Sequence, residues 1–176
     1  MIAIGIRFGL FAAAILIVVT TAYHMINGGE VDFESGELVG YSTMVVAFSM
    51  IYFAMRTYRL QQPDKTIRLS HAIAIGAVVS VFATIAWVGV WEVLMAGKME
   101  AFMALYAEQE IASLHAIGAS AAEIAAETET LAGYQEMYKN PAIRWVMGAG
   151  EILPLGLLVT LIIGFMKSRR KPHPVG

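Results

Sequence analysis

Four stretches of this chain are each long and apolar enough to cross a lipid bilayer, and nothing else limits its folding as strongly. A spanning helix needs about 20 mainly apolar residues at about 1.5 Å each. The four stretches run roughly from Phe8 to Met25, Glu37 to Met55, His71 to Met95 and Ile143 to Met166. Each carries at most one or two charges, at or near an end, except that Glu151 lies well inside the fourth. Only 15% of the residues are charged and 58% are hydrophobic, against about 25% charged in a soluble domain. The expected fold is an all-α integral membrane four-helix bundle, one domain over residues 1–176. The stretch "VVTTAYH" is a poor cleavage site, so the first span is expected to be a retained helix rather than a signal peptide.

Basic residues orient the spans. Arg7, Arg56, Arg59, Lys65, Arg68, Lys167, Arg169, Arg170 and Lys171 are nine of the twelve lysines and arginines. They fall before span one, between spans two and three, and after span four, which four crossings place on one side, the cytoplasmic side. Opposite them, "NGGEVDFESGE" has four acids and no base, and Lys98 to Asn140 has seven acids against Lys98 and Lys139. The expectation is a multi-pass protein of the bacterial inner membrane, with both termini cytoplasmic, a basic cytoplasmic tail at 167–176 and the 98–140 segment outside.

That segment is too long and too patterned for a plain loop. "KMEAFMALYAEQEIASLHAI" reads as a helix with Met99, Phe102, Tyr106, Leu114 and Ile117 near one face, broken at Gly118. Ser120 followed by Glu123 is a capping-box signature for a second helix, about Ala121 to Tyr138, with an apolar stripe of Ile124, Leu131, Tyr134 and Tyr138. Pro141 then starts span four. The expected product is an extracytoplasmic, acidic, amphipathic helical hairpin that acts as a lid on the bundle or as a binding cap.

Several classes are excluded by absence of their chemistry. No cysteine is present, which removes disulfides, thiolate metal sites and cysteine nucleophiles. No phosphate-binding loop, dinucleotide fingerprint, HExxH or GxSxG motif occurs, so no cofactor is expected. No basic patch interleaved with aromatics points to nucleic acid. The expected partners are membrane lipids, and beyond them a second copy of the chain or another membrane protein.

The order of these features resembles a family of bacterial membrane proteins, domain of unknown function 4199. The resemblance is carried by "GELVGYSTMVVAFSMIYFAMRTYR" at 36–59, "LSHAIAIGAVVS" at 69–80, "IGASAAEI" in the lobe, "EMYKNPAIR" at 136–144 and "EILPLGLLVTLI" at 151–162. It covers nearly the whole chain and implies a four-helix inner-membrane protein. It implies no activity, substrate or site. Where the family's pattern has a lysine at the start of span three, this chain has His71.

Polar residues within spans are the functional candidates. An ionisable side chain there costs about 2.5–3.5 kcal/mol on insertion scales. Counting residues from the inner ends puts Glu151 about 9 Å below the outer boundary near Trp145. His24, Glu37 and Glu92 fall near the outer ends of their own spans. Glu151 is therefore expected to face the bundle interior and to meet Arg144, Glu92, Glu37, His24 or Tyr41. Gly148 and Gly150 would let a neighbouring helix approach closely. The set His24, Glu37, Tyr41, Glu92, Arg144 and Glu151 has four readings: a tie between helix ends, a site for a ligand, headgroup or proton, a His/Glu metal site, or a catalytic site. The first two describe a non-enzymatic binding, accessory or small-solute-linked protein; the last two describe a small membrane enzyme or metal-dependent protein built on His24, Glu37, Glu92 and Glu151. Ala72, Gly76, Ser80 and Thr84 on span three, Gly5, Gly9 and Ala13 on span one, and Gly36 with Gly40 on span two read as packing seams. Trp87, Trp91 and Trp145 read as an aromatic belt.

Overall fold

A computed structural model describes residues 1–28 and 33–168. Among them the chain is all helical: α1 (Ile2–Ile26), α2 (Phe33–Leu60), α3 (Leu69–Leu94), α4 (Met99–Ala116), α5 (Ala121–Tyr138) and α6 (Pro141–Ser168). α1, α2, α3 and α6 are long and apolar enough to cross a membrane. They extend beyond the apolar stretches at most ends, because backbone hydrogen bonding continues where side-chain hydropathy falls. The chain forms two compact units, Met1–Val90 with the segment from Gly148 onward, and Trp91–Met147.

In the first unit, small residues let helices approach. α3 buries Ala72, Ile75, Gly76, Val79, Ser80, Ala83 and Thr84, so the expected seam on this span is present. Gly76 lies directly under the Thr160 side chain of α6. A methyl group at Gly156 would stand 2.6–2.8 Å from Ser80 and the Phe48 ring, so α6 touches both α3 and α2 there. The buried hydroxyls of α3 are satisfied within the helix: Ser80 donates to the Gly76 carbonyl and Thr84 to the Ser80 carbonyl, both at 2.9 Å.

α1 packs through Gly5, Gly9, Ala12 and Leu16. The expected Ala13 is half-buried and Ala12 takes its place, since an α-helical seam advances by three as well as four residues. A second difference concerns Trp87, which is 8% exposed and lies 3.5 Å from where a side chain on Gly40 would begin. Trp87 is thus a core residue and not part of a belt, because Gly40 leaves room for its ring. Lys167 also differs from a free cytoplasmic anchor. It belongs to α6, is 7% exposed, and its ammonium stands 3.7 Å from the centre of the Tyr52 ring, where the ring face compensates the charge. The remainder of the basic tail, from residue 169, lies outside the described residues. His71 holds its Nδ1 3.0 Å from the Tyr58 hydroxyl.

In the second unit, α4 and α5 form the expected helix–turn–helix. Gly118 has φ +75°, a left-handed conformation that glycine adopts without strain. The Ser120 side chain accepts from the Glu123 amide while the Glu123 carboxylate accepts from the Ser120 amide at 2.8 Å. The apolar stripes are weaker than expected. Met103 and Leu131 are the buried residues of the two helices, while Ile117 is 76% exposed. Apolar residues are spread around both helices, so neither presents a continuous face.

Candidate binding cleft

The second unit gathers polar groups around one clamp. Pro141 occupies the first position of α6, where its missing N–H costs nothing, and the Asn140 side chain accepts from the Ala142 amide at 3.0 Å. This start fixes Arg144 in the first turns of α6. Its Nε donates to one carboxylate oxygen of Glu92 at 2.6 Å and its Nη2 to the other at 2.8 Å. Its Nη1 donates to the Tyr138 carbonyl at 2.6 Å. Tyr138 is the last residue of α5, whose final carbonyls have no partner within the helix. One guanidinium therefore joins the end of α3, the end of α5 and the start of α6. The two side chains are 16% and 24% exposed, and a two-pronged arginine–carboxylate contact is among the stronger polar contacts available.

Beside the clamp lies an open cleft of about 510 Å³. Glu92 and Arg144 line it with Glu100, Gln135, Glu136 and Lys139, and with three methionines, Met95, Met99 and Met103. Lys139 contacts Glu136 at 2.6 Å, but both side chains are mostly exposed, so this pair adds little stability. Three carboxylates face two cations in the lining. With Glu92 held by Arg144 and Glu136 by Lys139, the Glu100 carboxylate makes no ion pair among the described residues. The cleft is therefore acidic by one charge. Its volume falls in the range of small-molecule sites, and methionine side chains adapt their shape to what they contact.

Of the six candidate residues, the structure brings together Glu92 and Arg144. His24 is half-buried near the end of α1, and Glu37 and Tyr41 are exposed on α2. Glu151 corrects the expectation made for it. It is exposed on α6 and makes no hydrogen bond or ion pair among the described residues. The buried stripe of α6 is Ile152, Gly156, Thr160, Gly164 and Lys167, and Glu151 is about 100° around the helix from Ile152. Gly148 does meet α3, since a methyl there would lie 2.9 Å from Val88, whereas Gly150 faces open space. Sequence reasoning missed Glu100, Gln135, Lys139 and the three methionines as members of one cleft. No spacing rule would have found them, because the turn between α3 and α4 and the pairing of α4 with α5 bring them together.

A family described as Protein of unknown function (DUF4199) matches residues 7–169, nearly the whole chain. The chain belongs to this family. Membership in DUF4199 agrees with the resemblance carried by the span sequences, and it adds no substrate or activity. No curated protein and no solved structure matches the chain. For this DUF4199 member the chemistry must be read from its own geometry. Among the described residues no group of three or more His, Asp or Glu side chains is placed to hold a metal ion.

Proposed function

We propose that this DUF4199 protein is a non-enzymatic binding or accessory protein of the bacterial inner membrane, with both termini cytoplasmic and the 98–140 lobe outside. The lobe takes a small organic cation into its cleft. The observation that carries this reading is the charge arrangement around the cleft: a rigid Arg144–Glu92 clamp beside a Glu100 carboxylate with no ion-pair partner among the described residues. The clamp holds the cleft's shape, Glu100 supplies the attraction, and the methionines supply adaptable apolar walls. A metal-dependent or enzymatic role for His24, Glu37, Glu92 and Glu151 has less support. Glu92 is already engaged by Arg144, and the other three residues belong to the first unit.

The test uses the full-length protein in lipid nanodiscs, with thermal unfolding followed against added tetramethylammonium, spermidine and inorganic phosphate. The cations should raise the melting temperature, phosphate should not, and Glu100→Gln should remove the effect. Equal protection by phosphate, or no protection by either cation, contradicts the reading.

A further inference from the structure

Two polar side chains of the first unit stand on exposed faces of apolar spans. Glu151 lies on α6 near exposed Pro154 and Leu158. Tyr41 lies on α2, 50% exposed, between Leu38 at 69% and Val45 at 71%. Neither makes a hydrogen bond or ion pair among the described residues. A carboxyl group left against hydrocarbon is costly, and such groups in membrane proteins face a partner or water.

The two groups stand at one level. α2 and α6 are the second and fourth spans, so they cross in the same direction, and they touch where Phe48 meets Gly156. Tyr41 is about 10 Å from Phe48 along α2, and Glu151 about 7.5 Å from Gly156 along α6, both toward the helix N-terminus. The difference of about 3 Å is less than either side chain can reach. All copies of a membrane protein insert with the same orientation. Residues at equal depth on neighbouring copies can therefore meet, and residues at unequal depths cannot.

The face around Glu151 suits a close neighbour. Gly150 has nothing within 4 Å of the position its side chain would take, which lets another helix approach the backbone. Below it, Leu158, Leu161 and Phe165 are 45–53% exposed and offer an apolar surface. The hydrogen-bonding match is also complete: a phenol donates and a carboxylate only accepts.

We propose that this surface is the contact between two copies of the chain, with the Tyr41 hydroxyl of one copy donating to the Glu151 carboxylate of its neighbour. Copies related by rotation about the membrane normal repeat the same contact and close into a ring. The proposal involves the first unit only and does not depend on the cleft.

The chain contains no cysteine, so single cysteines report cleanly. Two differently tagged full-length copies, one Tyr41→Cys and the other Glu151→Cys, are co-expressed and treated in native membranes with a permeant bifunctional thiol reagent. A bifunctional reagent is needed because a hydrogen-bonded tyrosine and glutamate hold their backbones farther apart than a disulfide allows. The expected product carries both tags. Replacing Glu151→Cys with Ile162→Cys, at a different depth, should abolish it. In liposomes, Glu151→Leu and Tyr41→Phe should each weaken self-association about three- to tenfold. Glu151→Gln, which keeps an acceptor oxygen, should not. The Leu/Phe double variant should be no weaker than either single variant, because both remove the same contact. Leucine is more apolar than glutamate, so membrane insertion is preserved. Absence of the two-tag product, its persistence with Ile162→Cys, crosslinking to a different protein in its place, or losses that add overturns the proposal.

Discussion

At the scale of single residues, the Arg144 guanidinium ties together the ends of α3, α5 and α6 in the second unit. It satisfies both Glu92 oxygens and the terminal carbonyl of α5. Removing it takes both donors from the half-buried Glu92 carboxylate and one from the Tyr138 carbonyl. Arg144→Ala should therefore destabilise the lobe by about 2–4 kcal/mol, given the cost of breaking a partly buried ion pair. Arg144→Lys keeps the charge but loses the planar fork, and should recover only part of that stability. Hydrogen exchange of α4 and α5 in nanodiscs reads both effects. Loss of protection in α4 and α5 is expected with the alanine variant, and unchanged exchange there would mean that the clamp contributes little. The pairing was within reach of the sequence because both residues are ionisable groups at the ends of their spans that adjoin the 98–140 segment. The outward direction of Glu151 was not. Its azimuth depends on which stripe of α6 packs, and Ile152, Gly156 and Thr160 win that competition through close contact at Gly76 and Ser80.

At the scale of helices, α5 begins at a capping box that titrates. The Ser120 amide donating to its carboxylate, helped by the Ser120 side chain, holds Glu123 below the ordinary glutamate range. A carboxylate whose folded pKa is depressed adds stability that is present above the unfolded value. That stability is lost as pH falls through the folded one. The first turn of α5 should therefore fray as pH drops below the glutamate range, while the middle of the helix, around Leu131, should not. Ser120→Ala should cost about 1 kcal/mol locally, whereas Glu123→Gln, which removes the titrating group, should flatten this pH dependence. Amide exchange of residues 121–124 between pH 6 and pH 3 measures both, and a pH-independent first turn in the native protein would count against the box. This start was legible because a capping box is local chemistry, with Ser, Glu and their spacing sufficient to specify it. Helix faces were less legible. Trp87 and Ala12 are buried because Gly40 and the tight packing at Gly5 and Gly9 make room for them, and those contacts cross between helices distant in sequence.

At the scale of the whole molecule, four apolar helices and a polar helical pair follow from hydropathy, charge and two turns, all of which the sequence carries openly. The cleft does not follow from them, because its lining joins residues from Glu92 to Arg144 through a fold that hydropathy does not encode. The central proposal is that the chain crosses the membrane four times and presents the lobe on the side opposite its basic loops. The absence of cysteine allows a direct measurement with an impermeant maleimide on intact cells. His115 is exposed in the last turn of α4, and Gln61 is exposed in the turn after α2. His115→Cys should label in intact cells, and Gln61→Cys only after lysis. Labelling of Gln61→Cys in intact cells, with His115→Cys protected until lysis, would contradict the account.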